Sequence, residues 1–194
     1  VSPSNGQKVL TVWLRDSAGN VSSPVVTAPI DLDTLPPSLS ISTPAAGSTV
    51  NSANVSSFAV TGTCSENGRD VVVSGDASAT VTCSGGAWTA NLDFSSAAAG
   101  GVSITVNHSD SFGNPANPRT RSFVKDVVAP TVAITSPSAG TDVNSENVSA
   151  FPVSGTCSED GRDVVISGDA SDTVTCSGGA WSANLDFSSA SDGS

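Results

Sequence analysis

The sequence predicts an all-β protein made of tandem sandwich domains. Three observations carry that expectation: a near-identical internal copy, a composition unsuited to helices, and short alternating strands broken by turn residues. Residues 62–97 (GTCSENGRDVVVSGDASATVTCSGGAWTANLDFSSA) return 93 positions later as residues 155–190 (GTCSEDGRDVVISGDASDTVTCSGGAWSANLDFSSA). Only Asn67/Asp160, Val73/Ile166, Ala79/Asp172 and Thr89/Ser182 differ. A repeat of that period sets domains of roughly 90–100 residues, the size of a small sandwich. Charged residues make up only 13% of the chain, and Met and Tyr are absent. Long amphipathic helices draw on Leu, Glu, Lys and Arg, whereas Val, Thr and Ser suit strands and turns.

The strands follow in order. From Asp33 they read SLSIST (38–43), SSFAVTGTCS (56–65), DVVVSG (70–75), ATVTCS (79–84), AWTANLDF (87–94), GVSITVNHSD (101–110) and RTRSFVKD (119–126). Phe58, Val60, Gly62 and Cys64 alternate with polar neighbours, as do Trp88, Ala90, Leu92 and Phe94, and Val102, Ile104 and Val106. Period-two alternation marks half-buried strands. Clusters of Gly, Asn, Asp and Ser divide them at the spacing of a sandwich.

The joints read PIDLDTLPPSLSIST (29–43) and FVKDVVAPTVAITSP (123–137), with Asp33 and Asp126 at matching places and proline just after. Proline fixes the backbone, so the joints are expected to be stiff and extended. The opening VLTVWLRDSAGNVSSP (9–24) matches SITVNHSDSFGNPANP (103–118), setting Asp16, Gly19 and Asn20 on Asp110, Gly113 and Asn114, and Trp13 on Asn107. Residues 1–33 are therefore expected to be the last two strands of a preceding domain and 34–126 a complete domain. Residues 127–194 are expected to be a domain lacking its last two strands.

Seven Lys and Arg stand against eighteen Asp and Glu, a net charge of −11 that opposes nucleic acid and anionic lipid. No apolar run is long enough for direct membrane insertion. The four cysteines come as Cys64 and Cys83, then Cys157 and Cys176, at equal spacing. A repeated unit carrying its own pair favours bridges within each copy, Cys64 with Cys83 and Cys157 with Cys176. Zinc is the poorer reading, because there is no C-x-x-C and only one histidine. Disulfides persist outside the cytosol, so the chain is expected to be secreted or at a cell surface. With no leader at its start, it reads as a segment of a longer protein. His108 has no nucleophile or second imidazole in a recognisable catalytic context, and no Gly-rich phosphate loop precedes a helix. No catalytic residue is assigned.

The strings TPAAGSTVN, VTGTCSENG, GGAWTANLDF, DSFGN and KDVVAPTVAITSP resemble the tandem bacterial Ig-like domains of large surface adhesins and extracellular repeat proteins. The resemblance covers nearly the whole chain. It implies immunoglobulin-like Greek-key β-sandwiches that act as a stalk, although many members lack the cysteines found here. Trp88 and Trp181, on alternating apolar strands, are expected to be core aromatics.

In such a sandwich, one pole would gather Asp33, Glu66, Asn67, Asp70, Asp110 and Asn114 at the first joint. The second joint would use Asp126, Glu159, Asp160 and Asp163. Oxygen donors without sulfur or imidazole suit Ca²⁺, and related extenders often bind calcium between domains. The competing reading is that Asp-x-x-Gly-Asn is simply a good turn.

The functional expectation is a non-enzymatic extender of an adhesin-type surface protein, its partners being the neighbouring repeats. The alternative is a self-assembling extracellular filament, in which residues 1–33 complete the open domain of another copy by strand addition.

Overall fold

A computed structural model describes residues 5–191, and these contain strands and turns and no helix. The chain divides into two compact units, Val1–Val127 and Val128–Ser194.

The first unit opens with a long, interrupted β-hairpin. Strands β1 (Gly6–Lys8) and β2 (Thr11–Val12) run out, and β3 (Val25–Val26) and β4 (Ile30–Leu32) return. β1 pairs with β4 and β2 with β3, all antiparallel. The sandwich follows: β5 (Thr49–Val50), β6 (Phe58–Thr63), β7 (Asp70–Gly75), β8 (Ala79–Thr82), β9 (Ala87–Leu92), β10 (Gly100–His108) and β11 (Arg119–Lys125). One sheet has the order β5-β11-β10-β7-β8; β6 and β9 form the other. Residues 39–43 join that second sheet through the bridges Leu39–Cys64 and Thr43–Thr61. The path leaves β8 for β9 in the opposite sheet and returns to β10, so neighbours in sequence are split between sheets in the Greek-key manner.

Alternation decides what lies between the sheets. On β6 the residues Phe58, Val60 and Gly62 are buried, and on β9 Trp88, Ala90 and Leu92. Phe58, Phe94 and Phe123 meet edge to face, with centroids 4.9–6.3 Å apart. Such pairs add about 0.5–1.5 kcal/mol each beyond the area they bury. Gly62 has a separate cause: a Cβ there would collide with the Ser40 carbonyl oxygen, the acceptor of the Trp88 indole N–H at 3.0 Å.

The second unit holds β12 (Val132–Ser136), β13 (Phe151–Cys157), β14 (Asp163–Ile166), β15 (Asp172–Thr175) and β16 (Ala180–Leu185). Its sheets are β12-β13-β16 and β14-β15. The buried apolar cluster is small: Phe151, Val153, Trp181, Ala183 and Leu185. Among the described residues nothing stands where β10 and β11 stand in the first unit.

Candidate functional site: the bridged frame, its joints and an open groove

Each unit is stapled at one place. Cys64 is bonded to Cys83 and Cys157 to Cys176, with Cα atoms 6.0 Å apart in both. Each bridge ties the end of one sheet's strand (β6 or β13) to residues following a strand of the other (β8 or β15), so it crosses between the sheets. The surroundings are repeated to the hydrogen bond. Asn67 Oδ1 accepts from the Gly86 amide at 2.9 Å, and Asp160 Oδ1 from the Gly179 amide at 2.9 Å. Trp88 donates to the Ser40 carbonyl at 3.0 Å and Trp181 to the Ala133 carbonyl at 3.2 Å. Both indoles are buried. The Asn67/Asp160 difference is thus silent, because either side chain offers the one oxygen the turn needs.

In the first unit three cationic side chains of β11 lock the frame. Arg119 donates to the Leu39 carbonyl at 3.0 Å; Arg121 donates to the Ile41 carbonyl at 2.6 Å and also to that of Pro44. Buried Lys125 donates to the carbonyls of Phe94, Ser95 and Ala97 at 2.8, 3.1 and 2.6 Å. These roles were missed in the sequence. The available signal was parity, since Arg119, Arg121 and Lys125 share the inward face with Phe123.

Among the described residues the acidic side chains of the first joint form no metal-type group of three, although Asn114 brings Asp33 and Asp110 together. Asp110 is buried, and its carboxylate is occupied by its own turn: the Phe112 and Asn114 amides donate to Oδ1 at 2.9 and 2.8 Å, and Asn114 Nδ2 to Oδ2 at 2.7 Å. Burial pushes its pKa up, but the hydrogen bonds from Asn114 and Phe112 outweigh this and hold the carboxyl below the usual range. Asn114 Nδ2 also donates to the Asp33 carbonyl at 3.1 Å, so an amide links the two aspartates that a cation was expected to link. The Asp33 carboxylate accepts from Asn5 Nδ2 and from the Leu35 amide. Glu66 accepts from the Ser65 hydroxyl.

At the second joint, Asp160 caps Gly179, and Glu159 lies 4.0 Å from exposed Arg162, a contact of little energetic weight. The Asp126 amide donates to the Val50 carbonyl. Within either unit, no group of three His, Cys, Asp or Glu that could hold a metal occurs among the described residues. The geometry offers no support for the calcium expectation at Asp33, Glu66 and Asp110 within the described residues of the first unit. Both Asp110 oxygens, Asp33 Oδ1 and Glu66 Oε1 accept hydrogen bonds from protein N–H and O–H groups.

The second unit carries an open groove of about 400 Å³ between its sheets, lined by Val132, Ile134, Val164, Ile166 and Trp181 among others. No helix among the described residues is long and apolar enough to cross a membrane.

No protein-family model matches the chain, and no curated protein matches it in sequence. Among solved structures, the chain is similar to a tetra-tandem repeat in the extending region of a large adhesion protein. The two are 19% identical with a TM-score of 0.42, over 95% of this chain and 50% of that one. This chain thus spans about half the length of that structure. The FN1–FN3 domains of chicken CNTN1 are 16% identical with a TM-score of 0.31, over 92% of this chain and 67% of that one.

Proposed function

We propose that this chain is an extender segment of an extracellular, adhesion-type surface protein of bacterial kind, non-enzymatic, with neighbouring repeats as its partners. The observation that carries the reading is what has been duplicated. Bridge, indole bond and turn cap recur in both copies at the same positions and nearly the same distances. Every one of these is a part of the frame. A chain kept for one chemical event has no use for two copies of its scaffold, whereas an extender gains reach with each. A staple across the two sheets limits how far a pulled domain can lengthen, and it suits an oxidising exterior. The copies then act as stiff, bridged beads.

Pulling a single chain by its ends tests this. Each bridge hides the 19-residue separation between its cysteines. Reductant should therefore lengthen the unfolded chain by about 60 Å per bridge, at roughly 3.3–3.6 Å per residue. Reduction should also lower the unfolding force. An unfolding force indifferent to reduction would remove the mechanical role.

A further inference from the structure

Residues 33–37 (DTLPP) carry the chain from β4 into the sandwich of the first unit, and they are held at both ends. At the start, Asn5 closes on them from the foot of the hairpin. Its Oδ1 accepts from the Thr34 amide at 3.1 Å and from the Thr34 hydroxyl at 2.9 Å, and its Nδ2 donates to Asp33 Oδ1. The Leu35 amide donates to the same carboxylate oxygen at 3.0 Å. At the end, the Ser38 amide donates to the Ser65 hydroxyl at 3.0 Å and the Ser65 amide to the Ser38 carbonyl at 3.2 Å, beside buried Pro37. Pro36 and Pro37 lie between these fixed points. Their rings hold φ near about −65° and restrict the residue before each.

The tip between β10 and β11 reaches back to the same place. The Asn114 carboxamide nitrogen has two hydrogens. One goes to Asp110 Oδ2 at 2.7 Å and the other to the Asp33 carbonyl at 3.1 Å. Both acceptors lack a hydrogen, so the amide nitrogen faces them and the amide oxygen does not. Asp110 is itself fixed: it is buried, its Oδ1 receives the Phe112 and Asn114 amides, and its carbonyl receives Arg69 Nη2 at 3.1 Å. Arg69 stands just before β7. A line of bonds therefore runs from the body of the sandwich through Arg69, Asp110 and Asn114 to Asp33, and on through Asn5 to the foot of the β1–β4 hairpin.

We propose that Asn114 is the latch of this joint: its carboxamide holds the linker, at the Asp33 carbonyl, against the tip of the sandwich that follows and fixes the direction in which the two meet. Asp110 is the positioning residue that aims it. An aspartate at 114 would have no hydrogen for the Asp33 carbonyl and would set a second carboxylate against that of Asp110. The role rests on the extender reading and adds to it what stiffens the joint. The bond to Asp33 joins two neutral groups, so salt does not screen it as it screens a contact between exposed charges.

Residual dipolar couplings on the full chain test the latch, through the order of the Gln7, Asp31, Thr34 and Leu35 amides in the frame of the sandwich. Wild type should give rigid-backbone order parameters of about 0.85, and Asn114→Ala and Asn114→Asp should each bring them below about 0.6. The couplings of β6, β7 and β10 should stay as they are. Asn114→Asp keeps the backbone amide of residue 114 for Asp110 Oδ1, so a loss in that variant reports the missing donor and not a collapsed tip. Gln7 pairs with Asp31. Cross-strand proton contacts between them should persist in both variants, which separates loss of direction from loss of the hairpin. High salt or EDTA should leave the wild-type values in place.

Three outcomes would overturn the proposal. Wild-type values already below about 0.6 would mean that nothing holds the joint, and values still near about 0.85 in both variants would mean that something other than Asn114 does. The third is wild-type order that falls with EDTA and returns with Ca²⁺, which would make a cation the link. The latch is read at equilibrium without reductant, and the extender reading by pulling with it, so the failure of one is told from the failure of the other.

Discussion

One sequence of 36 residues folds twice in this molecule, under a hairpin in the first unit and, among the described residues, without one in the second. In the first unit Ile41 is 9% exposed and Val50 0%; their counterparts Ile134 and Val143 are 66% and 41% exposed. The strands themselves hardly differ: β6 pairs with β9 as β13 pairs with β16, residue for residue. What changes is everything that β10 and β11 supply. β5 gains its parallel partner from β11, at Val124–Thr49 and Lys125–Val50. The carbonyls of Leu39, Ile41 and Phe94 gain their donors from Arg119, Arg121 and Lys125. Strand pairing within each half is thus local, while burial belongs to the assembled sandwich.

That contrast fails first, if it fails, at the bridges. In the chain-entropy model each contributes ~3 kcal/mol, a small share for the first unit with its extensive core and a decisive one for the second with its small cluster. Replacing Cys157 and Cys176 by Ala should unfold the second unit at room temperature. The same change at Cys64 and Cys83 should lower Tm and leave the first unit folded. Circular dichroism with tryptophan fluorescence from Trp88 and Trp181 reads both.

Lys125→Met comes next. It removes the ammonium that donates to the Phe94, Ser95 and Ala97 carbonyls, of which that of Phe94 keeps the Ala97 amide, and a hydrogen bond to a charged group contributes about 1.5–3 kcal/mol. The loss should appear as a fall in the first unit's urea midpoint, with the second unit's transition unmoved. An unchanged first-unit midpoint would make the clamp decorative.

Acid should separate the units more gently. Hydrogen bonds from Ser95 hold Asp93 below the usual carboxyl range, and those from Ser188 do the same for Asp186 in the other copy. Asp110 is held low only in the first unit, where burial is outweighed by its Asn114 and Phe112 bonds. A carboxyl depressed in the folded state contributes stability that is complete above its unfolded pKa of about 3.9 and is lost as pH falls through the lower folded value. Tm should therefore fall below about pH 4 in both units. Asn114→Ala should shrink that fall in the first unit alone.

The smallest expected effect is that of chelation. With the oxygens of Asp33, Glu66 and Asp110 accepting protein hydrogen bonds, EDTA should leave both transitions in place. A Tm lowered by EDTA and restored by Ca²⁺ would return the cation to the joints.

Much of the frame was legible because it is written in periods: alternation placed the strands from Phe58, Val60 and Trp88, and the copy offset paired the cysteines. The occupancy of the joints was not legible. Asp110 in an Asp-x-x-Gly-Asn tip reads equally as a ligand or as a turn, and the hydrogen bonds it accepts from Asn114 and Phe112 are set by the fold and not by spacing. Lys125 escaped for a different reason. A lysine on an inward register is rare, since burying its charge needs several acceptors, and those three carbonyls come from a loop some 30 residues away in sequence.

Amide exchange on β7 against β14 tests most directly the claim that the β10–β11 hairpin and not the strand sequence closes the first unit's sandwich. Val71–Ser74 and Val164–Ser167 differ at one position, Val73/Ile166. The account predicts that the first set exchanges only with opening of the whole unit. The second should exchange faster by at least about tenfold, a difference of about 1.4 kcal/mol in opening. Equal protection of the two sets would contradict it.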